Sequence, residues 1–349
     1  MRTLKKALRV CARTLIDVGQ VVSGAATYRL SGSTPAPACH AFIRLFCLSG
    51  GLSNDWMHRV VTTFDAGSAL PQPSGLLGVR NQQDADSIAD SIRRDGYHVF
   101  AQKLPDEMCD RLLAFALSTP ASLRPMKGEQ GPRKADAVYD PRRPATIRYD
   151  FHMDDVLDHP DVQRLMADPS ILMVSQSYLR TTPIADVTSM WWHTAFSDQP
   201  DEEAAQFFHF DMDRIKWLKF FIYLSDVGPA NGPHCFIRGS HRRNGIPAAL
   251  LAKGYARLMD EEVFRHYPRE AEVQFLAPRG TVIVEDTRGL HKGLAVRSGD
   301  RLMLQLQFSD SLFGGTYPPA SFRTLTPEAK RMIAAYPAIY RNYSGNDHS

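Results

Sequence analysis

The chain has 349 residues, 44% of them hydrophobic, and a formal net charge of +3 at pH 7. These values are typical of a soluble globular protein with one catalytic domain and an extension, and so small a charge excludes nucleic acid as an expected partner. The five cysteines form no CxxC pair, which predicts no disulfide framework and favours a reducing cytoplasm. No apolar run reaches about 18 residues, so we predict no membrane span. Charged residues in the first 26 positions argue against a signal peptide.

Residues 1–80 are predicted to form a basic, partly helical N-terminal extension. Apolar residues from Leu4 to Val22 recur at helical spacing, and most basic residues lie off that stripe. A basic amphipathic helix can lie on an anionic membrane surface, but the stripe could equally pack on the rest of the protein. A linker is predicted over Ser31 to Ala38, and helical sequence with a Gly50-Gly51 turn over Cys39 to Phe64.

The next stretch predicts alternating helices and strands. A helix is expected from Asp84 to the stop at Gly96, a strand over Tyr97 to Ala101, and a second helix from Leu104-Pro105. Met126 to Pro144 is a candidate loop or lid. A strand over Ile147 to Phe151 and one or two helices over Pro160 to Leu179 follow.

Short strands dominate beyond Ile184. They are predicted over Val187 to Phe196, Gln206 to Asp211, Trp217 to Leu224, His234 to Ile237, Glu272 to Leu276, Thr281 to Glu285, Leu290 to Val296 and Arg301 to Phe308. Eight short strands separated by turns predict a double-stranded β-helix, the cupin-like jelly roll, in a mainly β protein with flanking helices (α+β). A helical insertion is expected between Pro247 and His266. The jelly-roll domain is assigned to residues 81–322, and a C-terminal helix and tail, with Thr324 or Thr326 as helix cap, to residues 323–349.

A His-x-Asp pair on the second of these strands is the first candidate metal site. Residues two apart on a strand share a face, so His209 and Asp211 can converge on one point. His291, after a later strand-like run, is the candidate third ligand. Two histidines and one carboxylate on one face of a metal form the facial triad of non-heme Fe(II) oxygenases.

An oxygenase of this kind needs a cation for the distal carboxylate of 2-oxoglutarate. Arginine is always charged and forked for two parallel hydrogen bonds to a carboxylate. Arg301 opens the strand after His291 and can reach inward. Arg297 is the competing candidate, but its turn position favours water.

The stretch from about Gly96 to Phe308 resembles the phytanoyl-CoA dioxygenase family of Fe(II)/2-oxoglutarate oxygenases. Four features carry this resemblance: GYHVFAQKLPDEMCDRL, the HFD segment, NGPHCFIRGSHR, and His291 followed by Arg301. The resemblance implies that His209, Asp211 and His291 bind Fe(II) and that Arg301 binds 2-oxoglutarate. It also implies O2 as second cosubstrate and hydroxylation of an unactivated C–H bond with release of succinate and CO2. Halogenating relatives lack the carboxylate ligand, so Asp211 favours a hydroxylase.

Several positions are secondary candidates. Phe221 is expected to pack against 2-oxoglutarate. Gly293 stands where many relatives have Ser, so that hydrogen bond to the cosubstrate is either missing or supplied by Gln305 or Gln307. Arg238 replaces a common Pro and could meet an anionic substrate.

Other polar residues near the motifs receive structural interpretations. We expect His234 and His241 to lie outside the metal site. Asp213 could in principle replace Asp211, but we expect it to hold its loop or face solvent. Lys216 and Lys219 could offer a second charge to cosubstrate or substrate, but we interpret both as solvated. Trp191 and His193 share a strand face that is either core or cavity wall. Arg148 is a weak candidate for substrate contact, Glu285 and Asp286 weaker ones still for catalysis.

The sequence thus predicts an Fe(II)- and 2-oxoglutarate-dependent hydroxylase of an unidentified small-molecule or lipid substrate. One alternative is a hydroxylase of a lipid or lipid-linked glycan at the membrane surface, reached through the N-terminal helix. Another is a cupin-like protein that binds metal without catalysis. The expected location is cytoplasmic, with peripheral membrane contact under the first alternative.

Overall fold

The computed structural model describes residues 2–70, 75–128, 135–197, 199–318 and 320–345. The helices are α1 (Arg2–Ser31), α2 (Ala36–Ser49), α3 (Leu52–Phe64), α4 (Gln82–Asp95), α5 (Asp106–Ser118), α6 (Met153–Leu157), α7 (Pro160–Met166), α8 (Pro169–Leu179), α9 (Ala248–Leu251), α10 (Asp260–Val263), α11 (Pro327–Ala335) and α12 (Pro337–Tyr340). The strands are β1 (Tyr97–Val99), β2 (Ser122–Leu123), β3 (Arg148–Asp150), β4 (Ile184–Thr194), β5 (Trp217–Tyr223), β6 (His234–Ile237), β7 (Glu272–Gln274), β8 (Val282–Glu285), β9 (His291–Gly293), β10 (Asp300–Ser309), β11 (Ser321–Phe322) and β12 (Ser344–Gly345).

Two antiparallel sheets form the centre of the fold. The larger has seven strands in the order β1-β8-β5-β10-β4-β3-β2, and the smaller has three in the order β7-β6-β9. Aromatic and aliphatic side chains from both sheets, among them Trp191, Phe221, Phe236 and Met303, pack into one cluster between them. The fold is therefore the predicted jelly roll with flanking helices.

Strand alternation divides the side chains of the large sheet between two environments. On β10, Leu302, Leu304 and Leu306 belong to the core that includes residues of α4, α5, α7 and α8, whereas Arg301 and Gln305 line a cavity on the opposite face. Because successive side chains of a strand point to opposite faces, one run of alternating residues builds both a core and a site wall.

The three N-terminal helices pack on the small-sheet side. Val21 on α1 and Phe42 on α2 join a core with Phe208 and Phe210. The Gly50-Gly51 turn separates α2 from α3 as predicted, and the linker is shorter than predicted because α2 already begins at Ala36. Among the described helices, none combines the length and apolarity needed to cross a bilayer.

The stripe predicted on α1 faces solvent. Leu15 is 74% exposed and Val22 62% exposed, while Asp17 and Val21 lie on the buried side. Packing of this stripe on the rest of the chain, one of the two interpretations of the sequence, is therefore wrong for its described residues.

Two predicted elements differ in the structure. The segment 206–211 is not a regular strand: it makes only the single bridges Phe208↔Leu258 and His209↔His291. The insertion between Pro247 and His266 is two short helices joined by a loop rather than one helix, because Gly254 takes a positive φ of 75° and ends the first. Thr326 caps α11 as predicted, its hydroxyl accepting from the Ala329 N–H at 3.1 Å. Parts of the loop over 126–144 and residue 198 lie outside the described residues.

Candidate active site

Backbone pairing brings His209 beside His291. The His209 N–H donates to the His291 carbonyl at 3.0 Å, and the His291 N–H donates to the His209 carbonyl at 2.9 Å. The Asp211 N–H donates to the Thr287 carbonyl at 2.8 Å, which fixes the acid against the turn that precedes β9. Residues 82 positions apart therefore meet although 206–211 is no regular strand.

The three predicted ligands converge on one point. Their nitrogen and oxygen donor atoms all lie within 4.8 Å of one another, and all three residues are buried. His209 Nε2 lies 3.8 Å from Asp211 Oδ1, and His291 Nε2 lies 3.4 Å from Asp211 Oδ2. Adjacent ligands of an octahedral ion with bonds of about 2.1 Å stand about 3.0 Å apart. Both distances to Asp211 exceed this value by less than an ångström, so each histidine lies close to the position of a ligand adjacent to the carboxylate.

Both imidazoles are oriented by the backbone two residues earlier. Nδ1 of His209 lies 2.9 Å from the Phe207 carbonyl, and Nδ1 of His291 lies 2.9 Å from the Gly289 carbonyl. A carbonyl only accepts, so each Nδ1 carries the proton and each Nε2 presents its lone pair. Burial, together with His291, holds the pKa of His209 well below its ordinary value. The donor set therefore fits a divalent cation.

The Asp211 carboxylate forms an ion pair with a buried lysine. Lys219 Nζ lies 2.7 Å from Asp211 Oδ2 and 2.9 Å from Asp213 Oδ2. Burial favours the neutral acid, but Lys219 and His291 outweigh it and hold the pKa of Asp211 well below its usual range. Two carboxylates against one ammonium leave this corner with one negative charge.

Arg301 is a buried guanidinium with unused donors. It is 1% exposed, and within the described chain Nε and Nη1 have no hydrogen-bond partner. Burial lowers its pKa from the ordinary value. A charge buried without an anion is costly, and the free donors point to an anionic ligand.

His193 holds Arg301 in place. Nη2 of Arg301 donates to His193 Nδ1 at 2.7 Å, and the Trp191 indole N–H donates to the same atom at 3.1 Å. His193 Nε2 lies 3.1 Å from the Ala204 carbonyl, so the proton is on Nε2 and the ring is neutral. Burial and the Arg301 charge hold the pKa of His193 well below its ordinary value.

A cavity of about 270 Å³ contains all of these groups. The triad, Arg301, Phe221 and Gln305 line it, so every residue that the sequence assigned to iron or 2-oxoglutarate borders one space. The exposed Arg297 does not line it.

The sequence matches the family model of the phytanoyl-CoA dioxygenase (PhyH) family over residues 92–303. The match covers more than half of the chain. The chain belongs to the phytanoyl-CoA dioxygenase family. Family membership gives an iron- and 2-oxoglutarate-dependent, oxygenase-type activity and confirms the resemblance inferred from the motifs.

Solved structures similar to this PhyH-family chain share little sequence with it. HygX from Streptomyces hygroscopicus, with nickel and 2-oxoglutarate bound, is 14% identical; the match covers 70% of this chain and 93% of HygX, with a TM-score of 0.45. EctD from S. alaskensis in its apoform is 19% identical, with 73% and 90% covered and a TM-score of 0.47. The epimerase SnoN, in complex with Fe3+, alpha ketoglutarate and nogalamycin RO, is 18% identical, with 66% and 85% covered and a TM-score of 0.46. Among curated proteins, none matches this sequence.

Two sequence-based interpretations of residues near this PhyH-family site are wrong. Lys219 is not solvated: it is buried beneath Asp211. Arg238 does not border the cavity but lies exposed, with Nη2 3.4 Å from the Tyr97 hydroxyl. Arg238 takes no part in the site because its loop turns the side chain away from the cavity.

Other neighbours behave as predicted or were missed. His234 lies outside the triad, with Nε2 2.9 Å from Glu285 Oε2, and burial raises the pKa of Glu285 to about 8. Gly293 leaves room for the arginine, since a Cβ there would stand 3.0 Å from Arg301 Nη2. Arg124 and Arg257 also line the cavity. Sequence reasoning missed both because they lie in irregular segments without a motif.

Proposed function

We propose that this chain is an Fe(II)- and 2-oxoglutarate-dependent hydroxylase of an unactivated C–H bond. The observation that carries the proposal is a charge pattern within one cavity. A facial set of two histidines and a carboxylate stands at one end, and a buried arginine with two unused donors stands at the other. A dicarboxylate that chelates a cation at the first end and reaches the arginine at the second satisfies both.

The proposed ligands of the iron are His209, Asp211 and His291. The backbone carbonyls that hold each Nδ1 proton keep both Nε2 atoms aimed at the cation. Lys219 fixes the carboxylate by holding one of its oxygens. When bound, iron with 2-oxoglutarate and O2 supplies the oxidising chemistry that hydroxylates substrate and releases succinate and CO2.

Arg301 is the proposed partner of the distal carboxylate of 2-oxoglutarate. His193 takes one of the two Nη2 hydrogens, so the other Nη2 hydrogen and the free Nε or Nη1 can donate two hydrogen bonds to one carboxylate. Phe221 and Gln305 border the same space and are proposed to contact the cosubstrate. Asp211 fills the position that a halide would need, which favours hydroxylation over halogenation.

Anaerobic addition of Fe(II) and 2-oxoglutarate tests the proposal. Chelation should give a weak visible charge-transfer band that neither component gives alone. Absence of the band in folded, iron-loaded protein would contradict the oxygenase proposal and favour a metal-binding protein without catalysis. A succinate-release screen across acyl-CoA, lipid and sugar pools would then identify the substrate class.

The exposed stripe on α1 favours a second candidate, action at an anionic membrane surface. Leu15, Val18 and Val22 project to solvent at helical spacing, and the same helix carries an excess of basic residues. Apolar residues inserted below the headgroups, with basic residues nearby, are the usual basis of such contact.

Vesicle sedimentation tests this candidate. Full-length protein should sediment with vesicles containing phosphatidylserine, and Leu15→Gln with Val22→Gln should abolish this. Ala12→Gln with Thr27→Gln changes exposed residues off the stripe and should leave it intact. Deleting Met1 to Val22 should remove vesicle binding and leave succinate formation without substrate unchanged. Wild-type protein that does not sediment with these vesicles would contradict the proposed action at a membrane surface.

A further inference from the structure

A second cavity, of about 410 Å³, adjoins the one that holds the triad. Three residues, Arg124, Arg148 and Ser189, line both cavities. Arg124 follows β2 and Arg148 opens β3, and the Arg124 N–H donates to the Arg148 carbonyl at 3.0 Å. Two neighbouring arginines therefore stand where the cavities meet.

The cavity volumes indicate where a substrate must lie. Small-molecule sites usually enclose about 300–1,000 Å³. The triad cavity has about 270 Å³, and under the proposed function 2-oxoglutarate occupies part of it. The second cavity, past Arg124 and Arg148, offers the volume that a substrate of more than a few atoms needs.

These arginines share a single carboxylate. Asp150 Oδ2 lies 2.7 Å from Arg124 Nε, and Asp150 Oδ1 lies 2.8 Å from Arg148 Nη2. One acid for two guanidinium groups leaves one positive charge. The Arg148 side chain is only 14% exposed and its guanidinium lies 4.6 Å from the centre of the Trp191 ring, so water screens it little.

The other acids of the triad cavity do not offset this charge. Asp211 and Asp213 share Lys219, which leaves one negative charge at the metal end, and the guanidinium of Arg301 carries one positive charge against it. Glu203 and Arg257, which also line the cavity, carry opposite charges and add nothing to its net charge. The positive charge left by Arg124, Arg148 and Asp150 therefore remains at the junction; Asp154, in the second cavity, accepts a hydrogen bond from the Ser321 N–H at 3.1 Å.

We propose that the substrate is an anion whose phosphate or carboxylate group binds Arg124 and Arg148 at this junction. Arginine forks bind the oxygens of either group in pairs. With its anionic group there, the substrate reaches both the triad and the second cavity. The part of the proposal that concerns the oxidised substrate rests on the proposed function, whereas anion binding at the junction needs no metal.

Calorimetric titration of metal-free, full-length protein at low ionic strength tests the junction. Inorganic phosphate and acetate are the two probes. Because Arg301 has free donors and can bind the same anions, the titrations are repeated on Arg301→Ala. The double variant, Arg124→Gln with Arg148→Gln, is therefore made in the Arg301→Ala background. Saturable binding should survive Arg301→Ala and weaken at least tenfold in this double variant. Binding of phosphate alone identifies a phosphate ester, and binding of acetate alone identifies a carboxylate.

Two further variants serve as controls. Arg323→Gln with Arg80→Gln removes exposed, ion-paired arginines elsewhere and should leave binding unchanged. Arg148→Lys keeps the charge but loses the fork, so it should fold normally and show intermediate affinity. The proposal is overturned if neither probe binds, or if the double variant binds as tightly as Arg301→Ala. Anion binding without the anaerobic band would support the junction proposal and contradict the oxygenase proposal. The anaerobic band without anion binding would support the oxygenase proposal and contradict the junction proposal.

Discussion

The two ends of the triad cavity carry opposite uncompensated charges. At the metal end, Asp211 and Asp213 share the single ammonium of Lys219, which leaves one negative charge. At the other end, Arg301 has only the neutral His193 as a partner, which leaves one positive charge. Neither end is electrically neutral by itself. The charges of the cavity therefore suit a cation and an anion that bind together.

The protein tolerates this separation because neutral groups fix each end. Backbone carbonyls orient His209 and His291, and His193 and Trp191 position Arg301 without cancelling its charge. A carboxylate beside Arg301 would stabilise the apo protein but would compete with an incoming anion. The free donors of Arg301 are thus a cost in stability that the proposed cosubstrate offsets.

Removing one ligand should break the metal end completely. We expect His209→Ala to lose iron binding and succinate formation together, because two remaining ligands cannot form a facial set. Iron content per chain and succinate release measure this. His266→Ala removes an exposed histidine and serves as the control. Full iron content and turnover in His209→Ala would overturn the ligand assignment.

Removing the charge of Arg301 should weaken the binding of 2-oxoglutarate without changing the binding of the metal. Arg301→Ala loses two charge-assisted hydrogen bonds, worth about 1.5–3 kcal/mol each, so the 2-oxoglutarate concentration for half-saturation should rise about a hundredfold or more. Iron content should stay unchanged. Arg297→Ala, four residues away and exposed, is the matched control. An unchanged 2-oxoglutarate requirement in Arg301→Ala would move this role to another residue.

The two ends were not equally predictable from sequence. His209, Asp211, His291 and Arg301 could be found because strand period and motif order identify which residues face inward. Lys219 could not, although its place on β5 gives it the inward face, because a lysine between apolar residues is usually solvated and its two acids lie on a separate loop.

The fold was predictable for the same reason. The prediction was wrong where the residue pattern does not reveal which segments pair. Alternation located β4, β5, β6, β8 and β10 to within a few residues. The segment 206–211 alternates like a strand but forms only isolated bridges, one to Leu258 in a loop and one to His291, the first residue of the three-residue strand β9. Arg124 and Arg148 come together through pairing of two very short strands, which composition does not indicate.

A smaller effect is expected where Arg301 is positioned. His193→Ala removes the acceptor for Arg301 Nη2 and for the Trp191 N–H, leaving buried donors unpaired at about 1–3 kcal/mol. We expect about a tenfold weaker affinity for 2-oxoglutarate, measured anaerobically through the visible band. His193→Asn, whose amide oxygen can accept, should recover part of the affinity. Equal affinities in the two variants would contradict the positioning role.

The same residue should make stability depend on pH. Because the pKa of His193 is lowered in the folded state, its contribution is present above the unfolded value of about 6.5 and is lost as pH falls below it. Denaturant unfolding of metal-free protein at pH 7.5 and 5.5 should show a larger loss for wild type than for His193→Asn. Equal losses would mean that burial and the Arg301 charge do not hold His193 neutral in the folded protein.

The smallest effect should come from Gly293, which adjoins both ends. Its φ is not in the left-handed region, so a side chain meets no backbone strain; the conflict is a Cβ placed 3.0 Å from Arg301 Nη2. That contact is tight but lies at the end of a long side chain, which can move by a few tenths of an ångström. Gly293→Ala should therefore lower the affinity for 2-oxoglutarate severalfold at most and leave the iron content unchanged. A hundredfold loss, as large as that of Arg301→Ala, would show that the guanidinium has no freedom to shift and that its position rather than its charge limits binding.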